Sequence, residues 1–474
     1  MKGNDTLATR SLHAKVVPLF AWLREGFGKL FPARSTGPFV AISVAMLIAF
    51  ALAVMGQTNI GAAFGGATSA PSAHQNSSFQ WGVLAIFVAM ELFTGLVVGT
   101  GLMEVVAVGL IRISRGHKLI LVVFFGFMLF FVSSFLNNLT AMLVILPVLF
   151  VALRQADLEQ RFVTQTFALL LAVSNLGGAA TPIGDFPAII IMKSGLTDFT
   201  GYLTKAFPLF ISTTVVMIGL HALLFMKRGD GPKNETSEAA LRRRLGVRFL
   251  SMQYRHVRIK SLRALLLGLA FAATFCGWAF LPASGFPPEV VAFAGLSLAV
   301  LLVAPLGASA KFRNCDLGSV LTIAAFLFLG AVVANTGILH HLAHVLEDRI
   351  SNPKHLLIAV MIATAAFSGL MQAGPATAAM LPVIQSLAAG PFADQSQWLA
   401  IAFASSICAG SSAFVWSATA GFLLRDKVNN ADLSSKSGEK IGWGIAQYLP
   451  FGVLHMLVQL SVAIAWILLA LKLS

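Results

Sequence analysis

Two polar stretches, at 133–140 and 174–185, interrupt an otherwise strongly apolar sequence. The first contains Ser133, Ser134, Asn137, Asn138 and Thr140, and the second contains Asn175, Gly177, Gly178, Thr181, Pro182, Gly184 and Asp185. Amide and hydroxyl oxygens can coordinate a hard cation, whereas their N–H and O–H groups can hold an anion. Asn137, Asn138 and Asn175 are the candidate Na+ ligands, because each places a neutral carbonyl oxygen beside a break in the chain. Glycine lets a ligand or a second backbone approach closely, and proline removes a helical hydrogen bond. Such breaks are tolerated in a bilayer only where protein, water or solute satisfies the freed backbone groups. Asp185 is an acid inside apolar sequence, which makes it a functional candidate by default. It could bind a cation, carry a proton or pair with Lys193.

The second half of the chain has matching patches without charge. One runs from Ser368 through Gln372 to Thr377, and the other from Ser405 through Ser411 and Ser412 to Thr419. Gln372, Thr377, Ser411 and Ser412 are expected to complete a pocket. Glu91 and Glu104 are divided between interfacial placement and a role in the site. His340, His341 and His344 lack further ligands for a metal and read as interfacial. No phosphate-binding loop, nucleotide fingerprint or nucleophile–His–Asp set is present, so the reading is a transporter and not an enzyme, with no cofactor beyond a coupling Na+ or H+.

These patches need elements that hold them within lipid. Of 474 residues 57% are hydrophobic and only 11% charged, with mean hydropathy +0.83, against about 25% charged in soluble domains. Apolar runs at 39–55, 81–113, 119–151, 163–192, 206–226, 263–280, 289–306, 317–339, 355–390, 398–424 and 445–472 predict about eleven spans at roughly 20 residues each. Several exceed one helix and are expected to contain breaks or hairpins. The net charge of +14 is concentrated before the first span and between Lys227 and Arg263. That placement predicts a cytoplasmic N-terminus and central linker in contact with anionic lipid, rather than nucleic-acid binding. The mildly amphipathic start is read as a retained extension rather than a cleaved signal. The three cysteines are far apart and show no disulfide or metal spacing.

The chain also repeats itself. Placing Thr100-Gly101-Leu102 on Thr336-Gly337-Ile338 aligns Ser133, Asn137 and Leu146-Pro147 with Ser368, Gln372 and Leu381-Pro382 at a similar offset. The 175–185 patch then falls near 407–419, and Tyr202-Leu203 near Tyr448-Leu449. The expected organisation is an extension (1–38), a first transmembrane repeat (39–226), a basic linker (227–262) and a second repeat (263–474). Secondary transporters use this arrangement to build a midplane site between repeats.

The segments S-S-F-L-N-N-L-T-A-M-L-V-I-L-P-V and S-N-L-G-G-A-A-T-P-I-G-D-F-P-A-I-I-I resemble the ion transporter superfamily. That superfamily includes divalent anion/sodium symporters, citrate transporters, arsenite permeases and related sodium/proton antiporters. The resemblance implies an all-α polytopic fold of inverted repeats, each with a re-entrant hairpin and a broken helix, usually in a homodimer working by an elevator-like motion. Carried over, it places Ser134, Asn137, Asn138 and Thr140 at the first hairpin tip, and Asn175, Gly177, Gly178 and Thr181 at the first helix break. Asn137 stands where antiporter-like members tend to be acidic, whereas Gly184-Asp185 looks like the antiporter, citrate and arsenite branches. The second hairpin, Q-A-G-P-A-T, lacks the Asn-rich signature. The resulting expectation is a cytoplasmic-membrane secondary transporter of a small carboxylate or oxyanion, driven by Na+ or H+. Its alternatives are a Na+/H+ antiporter and a non-transporting membrane scaffold.

Overall fold

The computed structural model describes residues 81–115, 117–154, 159–226, 259–281, 286–306, 350 and 352–473 apart from 432 and 435–439, with scattered positions between 241 and 252. The expected spans 39–55 and 317–339, the extension, most of the linker and the 340–344 histidines lie outside the described residues.

Helices dominate because the long apolar runs leave backbone groups no partner but each other. In order they are α1 (Trp81–Val98), α2 (Leu102–Ile113), α3 (Lys118–Phe135), α4 (Asn138–Arg154), α5 (Gln160–Ala180), α6 (Phe186–Lys193) and α7 (Phe199–Met226). After the linker come α8 (Ser261–Phe280), α9 (Pro288–Val303), α10 (Pro353–Met371), α11 (Ala373–Ala389), α12 (Ser396–Ser411), α13 (Gly421–Asn429) and α14 (Ile445–Leu473). Among the described residues eight helices are long and apolar enough to cross a membrane, or nine if the α11–α12 pair, bent by 118°, is one span. This is an all-α polytopic membrane protein.

The over-long apolar runs resolve as breaks. The run 119–151 divides at Leu136-Asn137 into α3 and α4, and 355–390 divides at Gln372 into α10 and α11. In each case the two arms pack against one another. Gln372 adopts φ 107°, a positive value unusual for a side-chain-bearing residue, and so turns the chain within a single position. The runs 163–192 and 398–424 divide at 181–185 and 412–420, between α5 and α6 and between α12 and α13.

Contacts repeat in the two halves. α3 packs along α5 as α10 packs along α12. Gly177 lies against α3 so closely that an added Cβ would fall 2.9 Å from Ser133 Cβ and 3.0 Å from the Phe130 carbonyl carbon. Gly410 meets Ser368 Cβ and the Ala365 carbonyl carbon in the same way, at 2.7 and 2.9 Å. Tyr202 donates its hydroxyl to the Ala179 carbonyl at 2.9 Å, and Tyr448 donates to that of Ser412 at 2.6 Å. The motif correspondence read between the halves, at an offset of 235 residues for Ser133 and Ser368 and larger for the tyrosines after inserted residues, is therefore a shared packing geometry.

α5 forms the centre, with 89% of its apolar window buried, whereas α8 has only 22% of its window buried. α1, α8 and α9 pack together as a second layer, which reaches the two-half core through α1–α6 and α7–α8 contacts.

Candidate functional site

The two breaks of the first half meet. Asn138 begins α4 and is fully buried; its Nδ2 donates to Asp185 Oδ2 at 2.8 Å, and its Oδ1 accepts from Ser133 Oγ at 2.6 Å. Ser133 Oγ also lies 3.1 Å from Ser174 Oγ. Asp185 caps α6, with Oδ1 accepting from the Phe186 N–H at 2.8 Å, which places its carboxylate at the positive end of the helix. The close approach explains the glycines. A Cβ on Gly178 would lie 2.9 Å from the Asn138 amide carbon, and one on Gly184 would lie 2.6 Å from the Gly178 carbonyl oxygen and 2.8 Å from that of Ser133.

The other first-half candidates act mainly through the backbone. Thr181 Oγ1 donates to the Ser134 carbonyl, tying the α5 break to the end of α3. Ser134 Oγ is turned to its own helix, donating to Phe130 O at 2.8 Å. Asn137 Oδ1 accepts from the Leu139 N–H at 2.9 Å and so caps α4. Thr140 is half-buried on α4, one turn from the junction.

The second half reaches the first through Asn175. Its Nδ2 donates to Ser411 Oγ at 3.2 Å, to Ser412 Oγ at 3.4 Å and to the Ser411 carbonyl at 3.4 Å. Both serine hydroxyls in turn donate to the Cys408 carbonyl. Thr377 Oγ1 donates to Ala373 O at 2.7 Å, inside its own helix. Gln372 forms the tip itself, and the next residue, Ala373, donates its N–H to the Ser417 carbonyl at 3.3 Å. The tip of the second hairpin is thus docked on the second helix break by backbone groups, where the first uses the Asn138 carboxamide.

Two small cavities flank Asp185. One, of about 20 Å³, is lined by Asn175, Asp185, Tyr202, Ala373, Cys408 and Ser411 among others. The other, of about 10 Å³, has Glu91, Asn137, Gly184 and Asp185 in its wall. These volumes suit a dehydrated cation or a water and are too small for a multi-atom solute. Glu91 is 8% exposed on α1 and faces the site from the second layer. Ser133, Ser174 and Cys408, which lie within the polar patches but were not singled out as site residues, and Tyr202, which lies outside them, also surround Asp185 and its partners. For Tyr202, the aligned Tyr448 was a usable signal.

Of the three roles open to Asp185, pairing with Lys193 is not the one seen. Lys193 Nζ instead meets Glu289 Oε2 at 2.9 Å and Oε1 at 3.2 Å, joining α6 to the start of α9. α6 separates Lys193 from Asp185 by its full eight residues, so the two side chains leave opposite ends.

The family model described as citrate transporter, CitMHS, matches residues 23–408. An uncharacterized transporter of Mycobacterium tuberculosis strain H37Rv is 25% identical over 339 residues, covering 69% of this chain and 74% of the relative. The magnetosome protein MamN of Magnetospirillum gryphiswaldense is 22% identical over 396 residues, covering 82% and 87%. The human P protein is 31% identical over 151 residues, 31% of this chain and 18% of that protein. With paired breaks converging on a half-buried carboxylate, and a family match over most of its length, the chain is a multi-pass membrane transporter belonging to the CitMHS citrate transporter family.

Proposed function

We propose that the protein is a secondary active transporter that moves a small anion, a carboxylate or oxyanion, across the cytoplasmic membrane using a Na+ or H+ gradient. The observation that carries this reading is the meeting of both helix breaks across the chain, with Asn175 bonded to Ser411 and Ser412 beside a cavity bounded by Asp185. The Asn175 carboxamide, in the wall of that cavity, can turn its N–H donors to an anion. Asp185, with the Asn137 and Asn138 oxygens, suits the coupling cation. The family's description makes citrate the first solute to try.

Proteoliposomes carrying the purified protein test this. Labelled citrate, other carboxylates, arsenite and sulfate are offered with imposed Na+ or pH gradients. Uptake of one solute should depend on one gradient and vanish in Asp185→Asn; absence of gradient-driven flux for every solute refutes the proposal.

A second reading, Na+/H+ antiport, is favoured by the Asn138–Asp185 contact, because an amide and a carboxylate suffice for exchanging two cations. A pH-sensitive dye inside the vesicles separates the two, since antiport moves protons on Na+ addition without any organic solute.

A further inference from the structure

Away from Asp185, α5, α7 and α14 pack mutually and enclose a third cavity of about 10 Å³, with Gln165, His221 and His455 in its wall. Both imidazoles are 7% exposed, and His221 Nε2 and His455 Nδ1 are buried with no hydrogen-bond partner. In its neutral form each imidazole carries one lone-pair nitrogen, and the unpartnered Nε2 of His221 and Nδ1 of His455 are available for that role. Buried polar atoms without partners are rare in native structures and call for an occupant. We propose that His221 and His455 form a two-ligand site for a monovalent d10 metal cation, cuprous in kind.

Three features select this class. Imidazole nitrogens are good ligands for copper, and a cuprous ion is satisfied by two of them in a linear arrangement. Among the described residues no group of three His, Cys, Asp or Glu side chains converges, which disfavours zinc, whose closed sites take four ligands. The wall contains no Asp, Glu, Lys or Arg: besides the two histidines and Gln165 it consists of Met217, Leu220, Leu224, Phe451 and Leu454. A single charge is far cheaper to desolvate there than a double one, since Born cost rises with the square of charge. Gln459 follows His455 one turn on along α14, and Cys408 Sγ lies 3.7 Å from Gln459 Oε1. α7 and α14 are the corresponding long helices of the two halves, so an ion here would bridge the repeats at a place separate from the solute site.

Silver ion is the redox-stable probe. The full-length chain, made thiol-free by C276S, C315S and C408S, is loaded in detergent, gel-filtered and assayed for retained silver. About one ion more per chain should be retained by this parent than by His221→Gln or His455→Gln in the same background, and excess Zn2+ should not displace it. Each single variant should lose the whole increment, because neither nitrogen suffices alone. Glutamine keeps a polar group at each position, and the silver-free melting midpoint of each variant is checked against the parent. Equal retention by parent and variants, including none by any of them because water fills the cavity, overturns the site. Displacement by zinc overturns the monovalent assignment.

Discussion

Gly178→Ala offers a sharp test of how the candidate site is built. The new Cβ would stand 2.9 Å from the Asn138 amide carbon and 2.8 Å from its Nδ2, inside any normal contact distance, so the carboxamide must leave. What is lost is the Asn138–Asp185 hydrogen bond, at 2.8 Å, together with the Ser133–Asn138 bond. Bonds to charged groups contribute about 1.5–3 kcal/mol, which corresponds to a roughly 10- to 100-fold weaker half-saturation for a cation that uses Asn138 and Asp185 together. Both the melting midpoint in detergent and the cation dependence of uptake should fall. The discriminating arm is the double variant Asn138→Ala, Gly178→Ala. If the alanine at 178 acts only by evicting Asn138, removing that side chain first should make the second change nearly silent, so the pair behaves like Asn138→Ala alone. Additive losses, or a Gly178→Ala protein with unaltered cation dependence and melting, would refute the argument.

Asn175→Ala removes the donor that ties the first-half helix break to Ser411 and Ser412, and should weaken solute half-saturation about tenfold or more while costing about 1 kcal/mol of stability, readable as a small melting shift. Lys193→Met leaves the Glu289 carboxylate, whose side chain is 4% exposed, without its cation; a loss of about 3–5 kcal/mol is expected, and adding Glu289→Gln should restore most of the melting midpoint. Tyr202→Phe and Tyr448→Phe each delete one hydroxyl-to-carbonyl bond in equivalent positions. Each should cost about 0.5–1.5 kcal/mol, and the two melting shifts should be similar if the halves are true structural equivalents.

The apolar runs made the helical, membrane-embedded character plain, and the Gly/Pro-broken polar patches located the junctions to within a few residues. The 235-residue offset between the halves was legible from Ser133 and Ser368, Asn137 and Gln372, and Pro147 and Pro382. The partnerships were not. Serine and threonine can bond locally or across a gap with the same side chain, and Ser134 and Thr377 took the local choice, whereas Ser133 reaches across the break to Asn138 and across to Ser174 on α5. Lys193 lies eight residues from Asp185 along the chain, close enough to suggest a pair. An intervening helix sends it instead to Glu289, 96 residues on, a match no local spacing encodes. His221 and His455 gave no sequence signal, being single histidines on separate helices that only tertiary packing brings to one cavity.

The brevity of α6 has a consequence for how this chain can vary. Its eight residues span about 12 Å at 1.5 Å each, with Asp185 fastened at one end to Asn138 and Lys193 at the other to Glu289. One inserted or deleted residue would turn the lysine about 100° around the axis, away from its acid, while leaving the aspartate in place. Substitutions within the segment can be absorbed by repacking, but a change in its length cannot. Its register is therefore a yardstick: chains that share this mode of attachment should preserve the Asp-to-Lys interval even where the residues between have drifted.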